Sequence, residues 1–331
     1  MHGFDYSRPA SVSDALRAMV SLGTAKSRFL AGGTTLVDLM KLDVETPDHV
    51  IDITGIDELR ACDVSGAREL TFGALANMSE VAEDPFVRES YPALSEALWR
   101  AASQQLRNMA TIGGNLVQRT RCAYFRSTAY PCNKRVPGSG CSAIQGINRG
   151  HAVLGVSDAC IAVYPGDLAV ALLAFDAVVD TMSPRGARSI PLGDFHLEPR
   201  STPHEETVLC ADELIVRVRV PVTKVGKGST YVKVRDRESY AFALTSAAAA
   251  VDIAEGVVRD ARIALGGVAT RPWRAREAEQ SLIGSALTDE TARRAGELAF
   301  EGALTKPMNA FKVPLGINTI VEALMIARQR A

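Results

Sequence analysis

Apolar positions recur at helical spacing through VSDALRAMVSL, residues 12–22. Short apolar runs at RFL (28–30) and HVIDIT (49–54) then bracket a glycine-rich turn and a second helical stretch, LVDLMKL. This alternation predicts a small α/β unit in which helices cover a sheet. A longer region follows, with a helical pattern at SEALWRAASQQLRN and strands at AVVDTM and ARSIPL joined across Ser183-Pro184-Arg185-Gly186. Its last strand, LIVRVRVP, alternates apolar and basic residues and so reads as half-exposed. After the polar, glycine-bearing TKVGKGST, strands at TYVKVR, ALTSAAAAVDI and VVRDARIALGGV precede helical patterns that run to the end. The pattern divides the chain into a region of about 1–221, itself divisible near residue 54, and an α+β region of about 222–331.

Charge changes this picture only locally. Lys and Arg total 37 against 38 Asp and Glu over 331 residues, so the molecule as a whole is not an electrostatic partner for nucleic acid. No stretch approaches the roughly 20 apolar residues of a membrane span, and the N-terminus lacks the pattern of a signal peptide. The expectation is a chain without membrane contact or an export address of its own. Six cysteines in such a chain read as thiols or metal ligands rather than as a disulfide framework.

Two turns carry paired glycines. AGGTTL, residues 31–36, lies between a strand and a helix. Gly32 and Gly33 there permit close backbone approach to a phosphate, and Thr34 or Thr35 can cap the helix or donate to phosphate oxygen. TIGGN, residues 111–115, follows the second helical pattern and reads equally as a helix C-terminal cap. Neither matches the dinucleotide or P-loop fingerprints. Two such turns suit a ligand with two phosphates, one turn lining each side.

The region RCAYFRSTAYPCNKRVPGSGC poses a sharper question. Cys122, Cys132, Cys141 and Cys160 are separated by nine, eight and eighteen residues. Between Ala97 and Ser157 there is no Asp or Glu, while Arg100, Arg107, Arg119, Arg121, Arg126, Lys134, Arg135 and Arg149 supply eight positive charges. That imbalance calls for a counter-charge: a cysteine-bound cluster, cofactor phosphates or nucleic acid. The spacing is wider than that of common zinc or iron–sulfur runs, so iron–sulfur ligation, zinc ligation and free loop thiols all stay open. His151 is a substitute ligand for Cys160 or an exposed loop histidine, and Cys62 and Cys210 read as ordinary semi-buried residues.

Taken in order, AGGTTLVDLMKL, LRNMATIGGNLVQRTRC, CNKRVPGSGC, HAVLGVSDAC, YPGDLAVAL, KVRDRESYAFAL and IALGGVATRPWR resemble the FAD-binding subunits of the molybdenum hydroxylases, the xanthine dehydrogenase and carbon monoxide dehydrogenase family. The likeness is marked for the flavin subunits of three-subunit bacterial periplasmic aldehyde oxidoreductases. It implies an α+β fold: a two-part FAD-binding domain of the vanillyl-alcohol-oxidase type, then a C-terminal α+β domain of the CO dehydrogenase flavoprotein type. It puts one pyrophosphate loop on Phe29, Leu30, Ala31, Gly32, Gly33, Thr34, Thr35 and Leu36, and the other on Thr111, Ile112, Gly113, Gly114 and Asn115. Asp167 matches the acidic residue that meets the adenosine part of FAD, and Ile215 and Lys233 fall where relatives touch the cofactor. The plainer readings are a loop-capping Asp167, a core Ile215 and a solvated Lys233. Tyr240 either shields the isoalloxazine or is a strand tyrosine with its hydroxyl at the rim. The resemblance also implies that residues of about 120–160 are an insertion holding a [4Fe-4S] cluster through Cys122, Cys132, Cys141 and Cys160. At Thr35 the chain departs from the acidic or other polar residue of many members.

The same resemblance implies no catalytic residue here. Substrate chemistry would lie on a large partner bearing the molybdenum cofactor, and electrons would pass through [2Fe-2S] clusters of a small partner to this flavin and on to an external acceptor. It implies a heterotrimer assembled in the cytoplasm, with export to the periplasm requiring a signal-bearing partner. Two rival functions are a stand-alone flavoprotein oxidase and a zinc-stabilised nucleic-acid binder. Against the second, the loop offers only Tyr124, Phe125 and Tyr130 for base stacking.

Overall fold

The computed structural model describes residues 1–331, with three sheets. The first is parallel: β1 (Asp5–Ser7), β2 (Ser27–Leu30) and β3 (His49–Asp52), in the order β1-β3-β2. Helix Val12–Leu22 crosses from β1 to β2. Ser11 caps it by accepting from the Asp14 amide at 3.1 Å, and its apolar stripe of Val12, Ala15, Leu16 and Met19 is buried.

The second sheet contains β4 (Cys62–Asp63), β5 (Glu69–Gly73), β6 (Val178–Ser183), β7 (Gly186–Pro191) and β8 (Leu214–Pro221), in the order β4-β5-β8-β6-β7. The half-exposed strand is the central one. Its basic side chains Arg217 and Arg219 both pair with Asp180 of β6, at 2.9 and 2.8 Å. Helix Leu168–Ala174 is buried on all sides, as its unbroken apolar sequence requires.

The third sheet is an antiparallel meander of β9 (Ser229–Val234), β10 (Thr245–Ala254), β11 (Val257–Gly266) and β12 (Trp273–Arg274). Its alanine run serves two cores at once. Ala248 and Ala250 face the core shared with the preceding sheet and helix Leu168–Ala174, whereas Ala247, Ala249 and Val251 face the C-terminal helices. Side chains alternate across a strand, and methyl groups let layers approach from both sides.

Two local expectations are corrected. The helical pattern of residues 95–108 is two helices, Pro92–Trp99 and Gln104–Arg107. Ser103 starts the second by accepting from the Leu106 amide at 3.4 Å, and Ala102 makes the break with φ 48°. TIGGN is a helix start rather than a C-terminal cap: Thr111 caps helix Ile112–Leu116 by accepting from Gly114 at 3.3 Å.

Candidate functional site: a glycine-lined cavity beside a cysteine loop

A cavity of about 1070 Å³ lies where the sheets meet, and 14 of the 16 sequence-predicted cofactor residues line it. The exceptions are Leu30, on β2, and Ile112, which is buried in the core behind the second turn. From the first turn, Phe29, Ala31, Gly32, Gly33, Thr34, Thr35 and Leu36 face the cavity. Gly33 adopts φ +72°, and a Cβ on Gly32 would lie 1.8 Å from the Met109 carbonyl oxygen. Only glycine lets this turn close against the segment leading into the second one.

The two turns contribute differently. The backbone N–H groups of Gly32, Gly33, Thr34 and Thr35 have no acceptor within the protein. Thr35 forms no side-chain cap, contrary to one expectation, so its hydroxyl is not committed to the helix end. In the second turn the amides are engaged: Ile112 donates to Ala76, Gly113 to Ala74, Gly114 to the Thr111 hydroxyl and Asn115 to the Thr111 carbonyl. What it offers is side-chain chemistry. Asn115 Oδ1 is buried without a partner, while its Nδ2 meets only the Met78 sulfur, at 3.4 Å. An unpaired buried polar group costs about 1–3 kcal/mol, which a bound ligand can relieve. The open amides suit phosphate oxygens, and the unpaired Asn115 Oδ1 can accept from a hydroxyl or N–H, so together they fit a ligand such as FAD that carries both kinds of group.

Asp167, Lys233 and Ile215 line the same cavity. Asp167 caps no loop: Oδ1 accepts from the Tyr231 hydroxyl at 2.7 Å and Oδ2 from Lys233 Nζ at 2.8 Å. Lys233 is not solvated either, since its side chain is 1% exposed and it also donates to the Arg100 carbonyl at 2.9 Å. Burial, with the Asp167 charge adding, pushes the Tyr231 phenol well above its ordinary value. Ile215 is buried and still borders the cavity. Tyr240 lies in the loop between β9 and β10, with φ 53°, rather than on a strand.

The sequence did not assign Arg121, Asp236, Arg237 or Phe242 to the cavity, although all line it. Arg121 belongs to the basic run already noted, but nothing in that run marks which cation turns inward. Its guanidinium lies 5.3 Å from the Phe242 ring centre and donates to the Arg119 carbonyl at 2.6 Å, and no carboxylate pairs with it. Burial first, and then the neighbouring Arg126 charge, lowers its pKa.

The expectation that the basic run needs a wholly external counter-charge is corrected. Half of its eight cations find carboxylates distant in sequence: Arg119 with Glu45 and Glu206, Arg126 with Asp38, Lys134 with Glu206 and Arg149 with Asp236. Arg135 instead donates to the carbonyls of Tyr124, Phe125 and Tyr130. Glu45 and Asp38, with a small core of Leu39, Phe125 and Cys132, tie the loop to the first subdomain, while Glu206 and Asp236 tie it to later segments.

All six cysteines are free. Cys132 and Cys141 are antiparallel bridge partners. Burial raises the Cys122 thiol to about 11, with Cys132 and Cys141 nearby adding to the shift. Cys160 is raised to about 11 by burial, opposed by Lys134 and reinforced by Cys141 and Cys122. Beyond the Cys132–Cys141 bridge, Cys122 packs with Cys132 in the small core, and Asn133 donates to the Ala159 carbonyl next to Cys160, so the four cysteines sit on adjoining segments. No three His, Cys, Asp or Glu side chains converge closely enough to hold a single metal ion. His151 is buried rather than exposed, and its Nε2 lies 3.2 Å from Cys122 Sγ. Cys62 and Cys210, expected to be semi-buried, are exposed.

Comparison with known proteins agrees with this geometry. Residues 2–223 match the family described as FAD binding domain in molybdopterin dehydrogenase, and residues 230–311 match the CO dehydrogenase flavoprotein C-terminal domain. The aldehyde oxidoreductase FAD-binding subunit PaoB of Escherichia coli is 46% identical, with 100% of each chain covered. The carbon monoxide dehydrogenase medium chain of Afipia carboxidovorans is 27% identical, covering 98% of this chain and 94% of that one. Among solved structures, a carbon monoxide dehydrogenase from Hydrogenophaga pseudoflava superposes with a TM-score of 0.78 at 27% identity, covering 100% of this chain and 99% of that one.

Proposed function

The chain belongs to the family of FAD-binding domains in molybdopterin dehydrogenases, and on that premise we propose that it is the flavin- and [4Fe-4S]-bearing electron-transfer subunit of a molybdenum-dependent aldehyde oxidoreductase. One observation carries the finer part of this reading: Arg121 lines the cavity, and the next residue, Cys122, belongs to the cysteine group. A cofactor in the first and a cluster on the second would be close neighbours.

Four free cysteines in one neighbourhood supply the donor set of a [4Fe-4S] cluster. Cys122, Cys132, Cys141 and Cys160 would hold such a cluster, each supplying one thiolate. FAD, when bound, supplies the chemistry that joins one-electron centres to an acceptor of one or two electrons. The chain's own residues bind and orient it. The Gly32–Thr35 amides would hold phosphate oxygens, the Asn115 carboxamide oxygen would accept from a hydroxyl or N–H of the cofactor, the Asp167–Lys233 pair would give a polar wall, and Phe242 beneath Arg121 would keep water from the mouth.

The proposed partners are a large subunit carrying the molybdenum cofactor and a small one carrying [2Fe-2S] clusters, assembled in the cytoplasm and exported, if at all, with a signal-bearing partner. The test is anaerobic purification of the native complex, followed by its absorption spectrum, its iron and FAD content per chain, and mass spectrometry of its subunits. Flavin bands over broad iron–sulfur absorption are expected, and iron-free material would defeat the cluster assignment. A lone subunit that reduces its own flavin with an aldehyde would favour a stand-alone oxidase instead.

A further inference from the structure

Lys312, the first residue of helix Lys312–Arg330, is 0% exposed and pairs with no carboxylate. Its ammonium donates to the carbonyls of Gly150, at 3.1 Å, and Gly267, at 2.7 Å. Three residues earlier Asn309, also 0% exposed, donates to the carbonyls of His151 at 3.4 Å and Ala152 at 3.1 Å, and its own Oδ1 accepts from the Lys306 amide at 2.6 Å. The C-terminal domain therefore grips three consecutive carbonyls, those of residues 150–152. The side chain carried by the middle one is the imidazole that stands 3.2 Å from Cys122 Sγ.

A buried ammonium is costly unless something negative answers it, and two neutral carbonyls answer it only in part. Burial, with the Arg149 charge adding, lowers Lys312 to about 7. Beside this segment the Asp236 carboxylate is already paired with Arg149. The other group that chemistry can make anionic is the cysteine set, which His151 touches through Cys122, because four thiolates around a doubly charged iron–sulfur core leave a net charge of −2. In that state Cys122 sulfur can only accept, so His151 Nε2 would carry the proton and donate to it. Hydrogen bonds to ligand sulfurs and nearby positive charge both favour the more negative, reduced state of a cluster.

We infer that His151, held in place by Asn309 and Lys312, is a positioning residue for Cys122, and that this trio lets the C-terminal domain raise the reduction potential of the cluster without ligating iron. The inference rests on the cluster reading given above.

Its test uses the intact complex. Iron content, FAD content and the cluster midpoint potential, followed by electron paramagnetic resonance during a redox titration, are compared for wild type, His151→Phe and Lys312→Met. The variants His151→Gln, which keeps an N–H donor, and Lys312→Arg, which keeps the charge, serve as rescues. The expected result is wild-type iron and FAD in His151→Phe and Lys312→Met with the potential shifted to more negative values, and partial return in the two rescues. Unchanged potentials would overturn the inference. So would loss of iron in both removal variants with FAD retained, which marks a folding role alone. Absence of iron from the wild type is a separate outcome that removes the cluster itself and this inference with it.

Discussion

Lys233 and Asp167 meet at 2.8 Å with side chains only 1% and 6% exposed, joining β9 of the third sheet to the start of the buried helix Leu168–Ala174. The Tyr231 hydroxyl and the Arg100 carbonyl complete the arrangement. Each charge therefore has a charged partner and a neutral one, which is the condition under which a buried ion pair is tolerated. Because both residues also border the cavity, the same contact braces the join between regions and shapes the binding wall.

Removing one member leaves the other charge buried and unanswered. Asp167→Asn should lower unfolding stability by about 3–5 kcal/mol and weaken FAD retention, because the buried Lys233 ammonium is left with neutral acceptors and no counter-charge. Urea denaturation with parallel measurement of bound flavin checks both. A stable, flavin-replete Asp167→Asn protein would contradict the role given to this pair.

The closeness of the two turns makes a second prediction. A methyl group on Gly32 would enter the Met109 carbonyl, a backbone atom that cannot rotate away, so Gly32→Ala should force the turns apart. Overpacking of this kind costs about 1–3 kcal/mol, and the greater effect should fall on flavin content. Gly3→Ala, where a Cβ meets nothing within 4 Å, is the control. The ratio of flavin to protein absorbance in purified material should drop for the first variant and not for the second.

Much of the layout was legible because strands and helices announce their period locally. VSDALRAMVSL, HVIDIT and the alanine run of β10 each form the predicted element. The glycine turns were legible as loops, but which amides remain open was not, since that depends on Ala74 and Ala76 reaching the second turn from a distant segment. The carboxylates that answer the basic run were equally invisible. Glu45, Asp38, Glu206 and Asp236 lie 72 to 88 residues from their partners, the shortest separation being Lys134 to Glu206. Sequence distance carries no signal for such contacts. The burial of Lys312 and His151 was hidden for the same reason, as it is created by the C-terminal domain closing on the loop.

Glu206 provides a pH test of the tie between the cysteine loop and its surroundings. Burial pushes its carboxyl up, but the Lys134 and Arg119 charges and hydrogen bonds outweigh this and hold it below the ordinary 4.5. A carboxyl depressed on folding contributes stability that is present above its unfolded value and is lost as pH falls through the folded one. Glu206→Gln should therefore be less stable than wild type at pH 7, with the gap closing as pH drops below 4.5. Urea midpoints measured from pH 7 to pH 3 give the comparison. A gap of constant size across that range would show that the carboxylate charge is not what ties the loop.

Arg121 supports a prediction whose sign reverses between the empty and the loaded protein. Its guanidinium faces the cavity, its pKa is lowered by burial and then by Arg126, and no carboxylate pairs with it. In the apoprotein such a charge is a liability, so replacing it by Met should leave stability unchanged or raise it. With an anionic group of the cofactor in the cavity the same charge gains a partner, and hydrogen bonds to charged groups are worth about 1.5–3 kcal/mol. Arg121→Met should then bind FAD about 10- to 100-fold more weakly, following about 1.4 kcal/mol per decade. Melting temperatures taken with and without saturating FAD separate the two effects: the variant should match or exceed wild type when empty and fall below it when loaded, because ligand stabilisation scales with affinity. A variant that is weaker in both states would identify Arg121 as a structural cation of the loop, held for the Arg119 carbonyl and the Phe242 ring rather than for the ligand.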